Sequence, residues 1–264
     1  MDLGFTGRSV AVLGAGSGLG RATALGFAAE GATVTVFGRK AEPLEAVAKE
    51  AARRGAAPVR VVAGDLRAAG DLERLARAAA DAGGGAIWAL VANGGGPPPG
   101  GFDAFDDAAW QDAFESSLLG YVRAVRACLP FLRASGGRIL ANTSSSAKAA
   151  LDGLVLSNVF RLGVLGLVRS LATELAPDGI LVNAIAPGKF DTERVAALDR
   201  ARAQRAGSTA GAVRAATEAG IPLRRYGSPE EFARAAVFHC SAAKHLCHGP
   251  ARPRRRRGLP GILT

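Results

Sequence analysis

The chain is short of aromatic rings and of sulfur. Its 264 residues include two Tyr, two Trp, one Met and three Cys. Cysteines at 128, 240 and 247, irregularly spaced, do not frame a disulfide-stapled fold and suit a reducing, cytoplasmic setting. Long uninterrupted apolar runs are missing too. The most apolar window, 154–171, is broken by Ser157, Asn158, Arg161 and Arg169, which argues against a membrane span. The first residues lack a basic segment followed by an apolar one, so no secretory signal is expected. A hydrophobic share of 48% with 21% charged residues is ordinary for a soluble globular protein, and the length suits one large α/β domain.

Acid is absent where base is densest. The net charge is +10, and Arg252 with Arg254, Arg255, Arg256 and Arg257 supplies half of that excess from the last stretch of chain. The body is therefore only mildly basic, and nucleic acid is not expected as its partner.

What the sequence does hold is alternation. Apolar, β-branched segments at 9–13, 33–37, 59–63, 87–91, 138–141 and 180–185 are separated by amphipathic stretches near 19–30, 42–54, 68–82, 108–134, 153–176 and 229–242. This pattern predicts a doubly wound parallel sheet of Rossmann type in a single domain. In the 108–134 stretch, Trp110, Phe114, Leu118, Val122, Val125, Leu129 and Leu132 recur at helical spacing and predict one long helix with one apolar face.

The first strand runs into Gly14-Ala-Gly-Ser-Gly-Leu-Gly20 and then a helix. Glycines at 14, 18 and 20 allow a tight turn and close approach to a pyrophosphate, with Ser17 and Leu19 between them and the helix N-terminus behind. The second strand ends in Gly38-Arg39. A carboxylate here would favour the ribose 2′-hydroxyl of NAD; Arg39 instead offers a planar fork to a 2′-phosphate, so NADP is the expected cofactor and NAD the weaker option. Arg21 could add charge from the first helix.

Further along stand Gly64-Asp65-Leu66, Ala92-Asn93-Gly94-Gly95, Pro187-Gly188 with Thr192, Val182-Asn183-Ala184, and Ile221-Pro222-Leu223 followed by Gly227, Pro229, Glu230 and Glu231. With the glycine turn, these motifs over residues 5–240 resemble the short-chain dehydrogenase/reductase family, close to its 3-oxoacyl-acyl-carrier-protein reductases. The resemblance implies adenine contact at Asp65 and Leu66, cofactor contact at Asn93 and Gly94, and a nicotinamide carboxamide beside Pro187, Gly188 and Thr192. It also implies hydride transfer with a carbonyl or alcohol substrate of 3-oxoacyl, ketone or sugar type, and a homodimer or homotetramer.

The stretch 138–167 is where the family keeps its chemistry: a strand, the hydroxyl cluster Thr143, Ser144, Ser145 and Ser146, then an apolar helix. Members use a Ser to polarise the substrate oxygen, a Tyr as proton donor, a Lys four residues later, and an Asn supporting a relay water. Carried over by position, the Ser is Ser144, the Tyr position holds Ser157, the Lys position Arg161 and the Asn position Ser117. A serine hydroxyl is shorter than a phenol and far less acidic, and Arg161 can hold a ribose but not relay a proton. Either another acid is recruited, with Lys148 and Tyr121 as candidates, or turnover is lost and the chain is an NADP-binding sensor or scaffold. The loop 94–101, rich in Gly and Pro, is expected to shape the pocket, Tyr226 to pack over the substrate, and 191–220 to form a lid.

The family's usual last strand is doubtful here. A Rossmann unit is expected over 1–241 and a disordered basic tail over 242–264. A change of reading frame near residue 240 or a nucleic-acid-contacting tail would each account for that tail. His239, Cys240, His245, Cys247 and His248 fit no standard zinc spacing, so no metal is expected.

Overall fold

Six strands, mostly apolar on both faces, pair in parallel. A computed structural model describes residues 2–243 of the chain. The expectations placed on 244–264, including the metal-like His245, Cys247 and His248 and the basic tail, lie outside the described residues. Strands β1 (Ser9–Leu13), β2 (Thr33–Gly38), β3 (Val59–Ala63), β4 (Ala89–Ala92), β5 (Arg138–Asn142) and β6 (Leu181–Ile185) form one sheet ordered β3-β2-β1-β4-β5-β6. Among the described residues there is no seventh strand, and the last backbone bond to the body joins the Ala242 N–H to the Leu3 carbonyl at 3.0 Å.

Helices cover both faces. Val10 and Val12 join a core with Phe27 of α1 (Gly18–Ala29), Leu44 and Val47 of α2 (Ala41–Arg53) and Phe232 of α9 (Pro229–Cys240). Their neighbours Ala11 and Leu13 point the other way, to Leu72 and Leu75 of α3 (Ala69–Ala82) and Val164 of α6 (Val155–Glu174). This period-two division is what a doubly covered strand requires. The strand order reverses between β1 and β4, which opens a crevice at the carboxyl ends of the strands. Helix α6 is long and apolar enough by composition to cross a bilayer, but in this fold Leu156, Phe160, Val164, Val168 and Ala172 are buried against its neighbours.

The long helix expected over 108–134 is interrupted. It divides into α4 (Asp107–Phe114), a π turn (Glu115–Leu119) and α5 (Gly120–Arg133). A π turn accommodates one extra residue and so rotates everything after it. The buried face of α5 is therefore Tyr121, Ala124, Val125, Cys128 and Leu132, while Val122 and Leu129 are only half-buried. Strand β4 also starts later than the expected 87, because the Ile87 N–H goes to the Phe131 carbonyl at 3.1 Å instead of to a neighbouring strand. The segment expected to form a lid holds α7 (Glu193–Arg205) and α8 (Ala210–Gly220).

Candidate active site

A cleft of about 950 Å³ lies over the carboxyl ends of the strands. Its first wall is the glycine turn. Gly14 and Gly18 have φ of +58° and +51°, and a Cβ on Gly20 would stand 2.2 Å from the Gly14 carbonyl oxygen. Only glycine fits such positions without strain. The turn is pinned from below: Asn93 Nδ2 donates to the carbonyls of Leu13 and Gly14 at 3.2 Å, and Asn93 Oδ1 accepts from Asn142 Nδ2 at 2.7 Å. Asn93 is thus a strut between β1, β4 and β5.

Helix α1 begins with its amides uncapped. Ser17, at its N-cap, makes no side-chain capping bond, and the first turn holds no acid. Free N–H groups and the positive end of the helix dipole suit a pyrophosphate. Gly38 and Arg39 line the same cleft, Arg39 exposed, and among the described residues no carboxylate pairs with it. These residues fit a phosphate-bearing dinucleotide. Asp65 and Leu66 line the cleft beyond β3; Arg67 donates to Asp65 through Nε at 3.0 Å and Nη2 at 2.7 Å. That pairing holds the Asp65 carboxyl below its ordinary range.

The far end holds the hydroxyls. Ser144 caps a short 3₁₀ turn (Ser145–Ala147), its Oγ accepting from the Ser146 N–H at 3.1 Å. Ser157, one turn into α6 and 7% exposed, lies with its Oγ 3.3 Å from Ser146 Oγ. The Asn158 side chain receives the Leu151 N–H at 3.1 Å and donates to the Leu151 carbonyl at 3.0 Å, which ties the intervening loop to the helix. The loop 94–101 joins the same helix, since the Val155 N–H donates to the Gly100 carbonyl at 3.3 Å. Pro187 and Gly188 line the cleft, and the Ser145 N–H donates to the Pro187 carbonyl at 3.2 Å. Thr192 caps α7, accepting from the Val195 N–H at 3.3 Å, and a Cβ on Gly18 would lie 3.3 Å from its methyl.

Arg161 lines the cleft but faces into the protein. Its Nη1 donates to Tyr121 OH at 3.0 Å and to the Asn142 carbonyl at 3.1 Å, and its Nη2 to the Gly94 and Gly95 carbonyls at 3.2 and 3.4 Å. Ser117 does not line the cleft. It sits in the π turn, buried, with an Oγ that has no hydrogen-bond partner. Tyr121 is 1% exposed and donates to the Asn142 carbonyl at 3.1 Å, and Lys148 is an exposed loop residue. Neither alternative acid reaches the cleft. Tyr226 is buried under the lid, donating to Asp199 Oδ2 at 2.8 Å.

One cleft is lined by Gly14, Ser17, Gly18, Leu19, Gly20, Arg39, Asp65, Leu66, Asn93, Gly94, Ser144, Ser157, Arg161, Pro187, Gly188 and Thr192, whereas Arg21 lines a smaller adjoining pocket with Gly16, Ser17 and Gly18. Sequence reasoning passed over Lys189, Arg194 and Arg202, which line it from the β6 side. Lys189 directly follows Pro187-Gly188 and Arg194 comes two residues after Thr192, so closeness to those motifs was the available signal. Burial lowers the pKa of Lys189, as does nearby Arg202; burial and then Arg161 lower that of Arg194. Among the described residues no group of three His, Cys, Asp or Glu side chains is placed to hold a metal.

Residues 14–251 match the family model described as enoyl-(acyl carrier protein) reductase. The chain is 30% identical to the 3-oxoacyl-acyl-carrier-protein reductase of Aquifex aeolicus, over 91% of this chain and 93% of that one. It is 36% identical to the cis-4-hydroxycyclohexanecarboxylate dehydrogenase of Sinomonas cyclohexanicum, over 94% and 95%. Among solved structures it superposes on L-sorbose reductase from Gluconobacter frateurii, complexed with NADPH and L-sorbose, with a TM-score of 0.85 at 29% identity, covering 92% of both chains. An actinorhodin polyketide ketoreductase with NADPH gives 0.84 at 28%, over 89% and 91%. With the strand order, the glycine turn and these likenesses in agreement, the chain belongs to the short-chain dehydrogenase/reductase family of oxidoreductases.

Proposed function

We propose that this chain is an NADP-dependent oxidoreductase moving a hydride between the nicotinamide and a carbonyl or alcohol substrate of 3-oxoacyl, ketone or sugar type. One observation carries the reading: the glycine turn, Arg39, Ser144 and Ser157 line a single cleft. Arg39, placed where an acid would select NAD, supports a 2′-phosphate, as do relatives solved with NADPH. NAD would bind there without that charge pairing.

Bound NADP supplies or takes up the hydride; the chain's residues manage the oxygen. Ser144 donates a hydrogen bond to it. Ser157, whose Oγ lies 3.3 Å from that of Ser146, can hydrogen-bond the same oxygen, but it is too weak an acid to supply the proton, which in the reducing direction comes from solvent. Arg161, held by four acceptors, is a positioning residue: it fixes the floor of the site and would hold a positive charge on the cofactor's side of the cleft. General acid–base catalysis contributes roughly 10²–10⁴-fold, so exchanging a phenol of pKa about 10 for an aliphatic hydroxyl makes this a slow enzyme.

The second reading is an NADP-binding sensor or scaffold without turnover. The engagement of Arg161 with backbone carbonyls and Tyr121 favours it. Absorbance at 340 nm over a carbonyl and alcohol panel, with the parent and with Ser157→Tyr/Arg161→Lys, separates the two. Any turnover by the parent supports the enzyme; NADPH binding with no turnover on any substrate supports the sensor. The same proposal includes a cytoplasmic homodimer or homotetramer through α4, α5 and α6, where Val159 and Leu162 are exposed. Sedimentation as a monomer alone would refute the assembly.

A further inference from the structure

The β6 side of the cleft carries more positive charge than the proposed cofactor and reaction need. Lys189, Arg194 and Arg202 all line it. Among the described residues no carboxylate lies within ion-pair distance of Arg194 or Arg202; Glu193 and Arg194, adjacent on this wall, are both exposed. Lys189 has a counter-charge, but Asp199 Oδ1 stands 3.8 Å from its Nζ, beyond hydrogen-bond reach, while the other Asp199 oxygen is taken by Tyr226. Like charges thus face each other: Arg202 toward Lys189, and Arg161 toward Arg194.

Arg194 is placed, not drifting. Its Nη2 donates to the Pro97 carbonyl at 2.9 Å, reaching from α7 across to the loop after β4. A Cβ on Gly96 would come within 2.3 Å of that guanidinium, so the glycine is what lets the arginine lie there. The remaining guanidinium N–H groups have no carboxylate partner among the described residues.

The cofactor does not account for these cations. Its 2′-phosphate would meet Arg39 at the end of β2, whereas the Arg194 guanidinium lies against Gly96 and Pro97 of the loop after β4. The pyrophosphate would lie on the α1 N-terminus, where Thr192 stands over Gly18; the Arg194 side chain turns from that end toward Pro97, and Arg202 lies about two turns further along α7.

We infer that Arg194, with Lys189 and Arg202, forms an oxyanion-binding wall that selects carbonyl substrates bearing a carboxylate or phosphate monoester. This rests on the proposed oxidoreductase reading for its carbonyl, but not for its anion. A planar guanidinium matches either oxyanion through paired N–H donors.

The test uses the full chain loaded with NADPH. Binding is followed by calorimetry and turnover at 340 nm, with acetoacetate and 3-oxohexanoate set against their methyl esters, and dihydroxyacetone phosphate against dihydroxyacetone. The expected result is a preference for the anionic member of at least one pair, reduced roughly tenfold or more by Arg194→Gln and by Arg202→Gln. Saturation by NADPH reports that both variants fold. A preference confined to the acids identifies a carboxylate; one confined to the ketose phosphate identifies a phosphate. Neutral substrates bound or turned over as well as the anionic ones, or a preference untouched by both variants, would overturn the wall while leaving the oxidoreductase reading intact. Anion binding with no absorbance change would retain the wall and remove that reading.

Discussion

Arg161 Nη1 donates to the Tyr121 hydroxyl at 3.0 Å, and both groups donate to one acceptor, the Asn142 carbonyl. The guanidinium and the phenol form a buried polar joint between α6, α5 and the end of β5. Tyr121→Phe removes one acceptor from the guanidinium but leaves the carbonyl satisfied. Chemical denaturation is expected to show a loss of about 1–2 kcal/mol with the native fold retained.

Arg39→Asp places a carboxylate where the 2′-phosphate of NADP is proposed to bind. The expected outcome is a reversal of preference, with the NADP-to-NAD affinity ratio falling roughly 100-fold or more in fluorescence titrations. An unchanged ratio would mean that Arg39 is a solvated surface residue.

Gly20→Ala tests the turn. The added methyl would stand 2.2 Å from the Gly14 carbonyl oxygen and 2.5 Å from Asn93 Nδ2, so it collides with backbone and with the strut together. A destabilisation of about 3 kcal/mol is expected, with dinucleotide binding weakened in parallel. Stability near the parent value would show that the turn can shift.

Glu231 supplies a pH signature. The Arg225 guanidinium, and then the Ser228 N–H, pull its carboxyl from an ordinary 4.5 to about 2. A depressed carboxyl stabilises the fold fully above the unfolded value and loses that contribution as pH falls toward the folded one. The Tm difference between the parent and Glu231→Gln should therefore be constant above about pH 5 and shrink between 4.5 and 2. A difference that grows on acidification would contradict the capping box at the start of α9.

Much of this was legible in advance. The six apolar segments and the glycine turn are local signals, since a doubly covered strand must be apolar throughout and a tight turn must be glycine. The site's floor was not. Counting by helical period puts Val122 and Leu129 on the buried face, and one extra residue in the π turn replaces them with Tyr121 and Cys128. No composition rule announces such a turn, because tertiary contacts hold it. Ser146 stood out in the sequence only as part of a cluster, and its partner Ser157 is eleven residues away. Arg194 depends on Gly96, a residue nearly a hundred positions earlier.

The π turn has a bearing on how this protein can change. A substitution within Glu115–Leu119 alters a side chain; the loss of one residue would let the segment close into a regular helix and swing α5 by about 100°. Tyr121 would leave Arg161, and the guanidinium would have to find another acceptor or withdraw from under Gly94 and Gly95. The length of that segment is thus what keeps Tyr121 beneath Arg161.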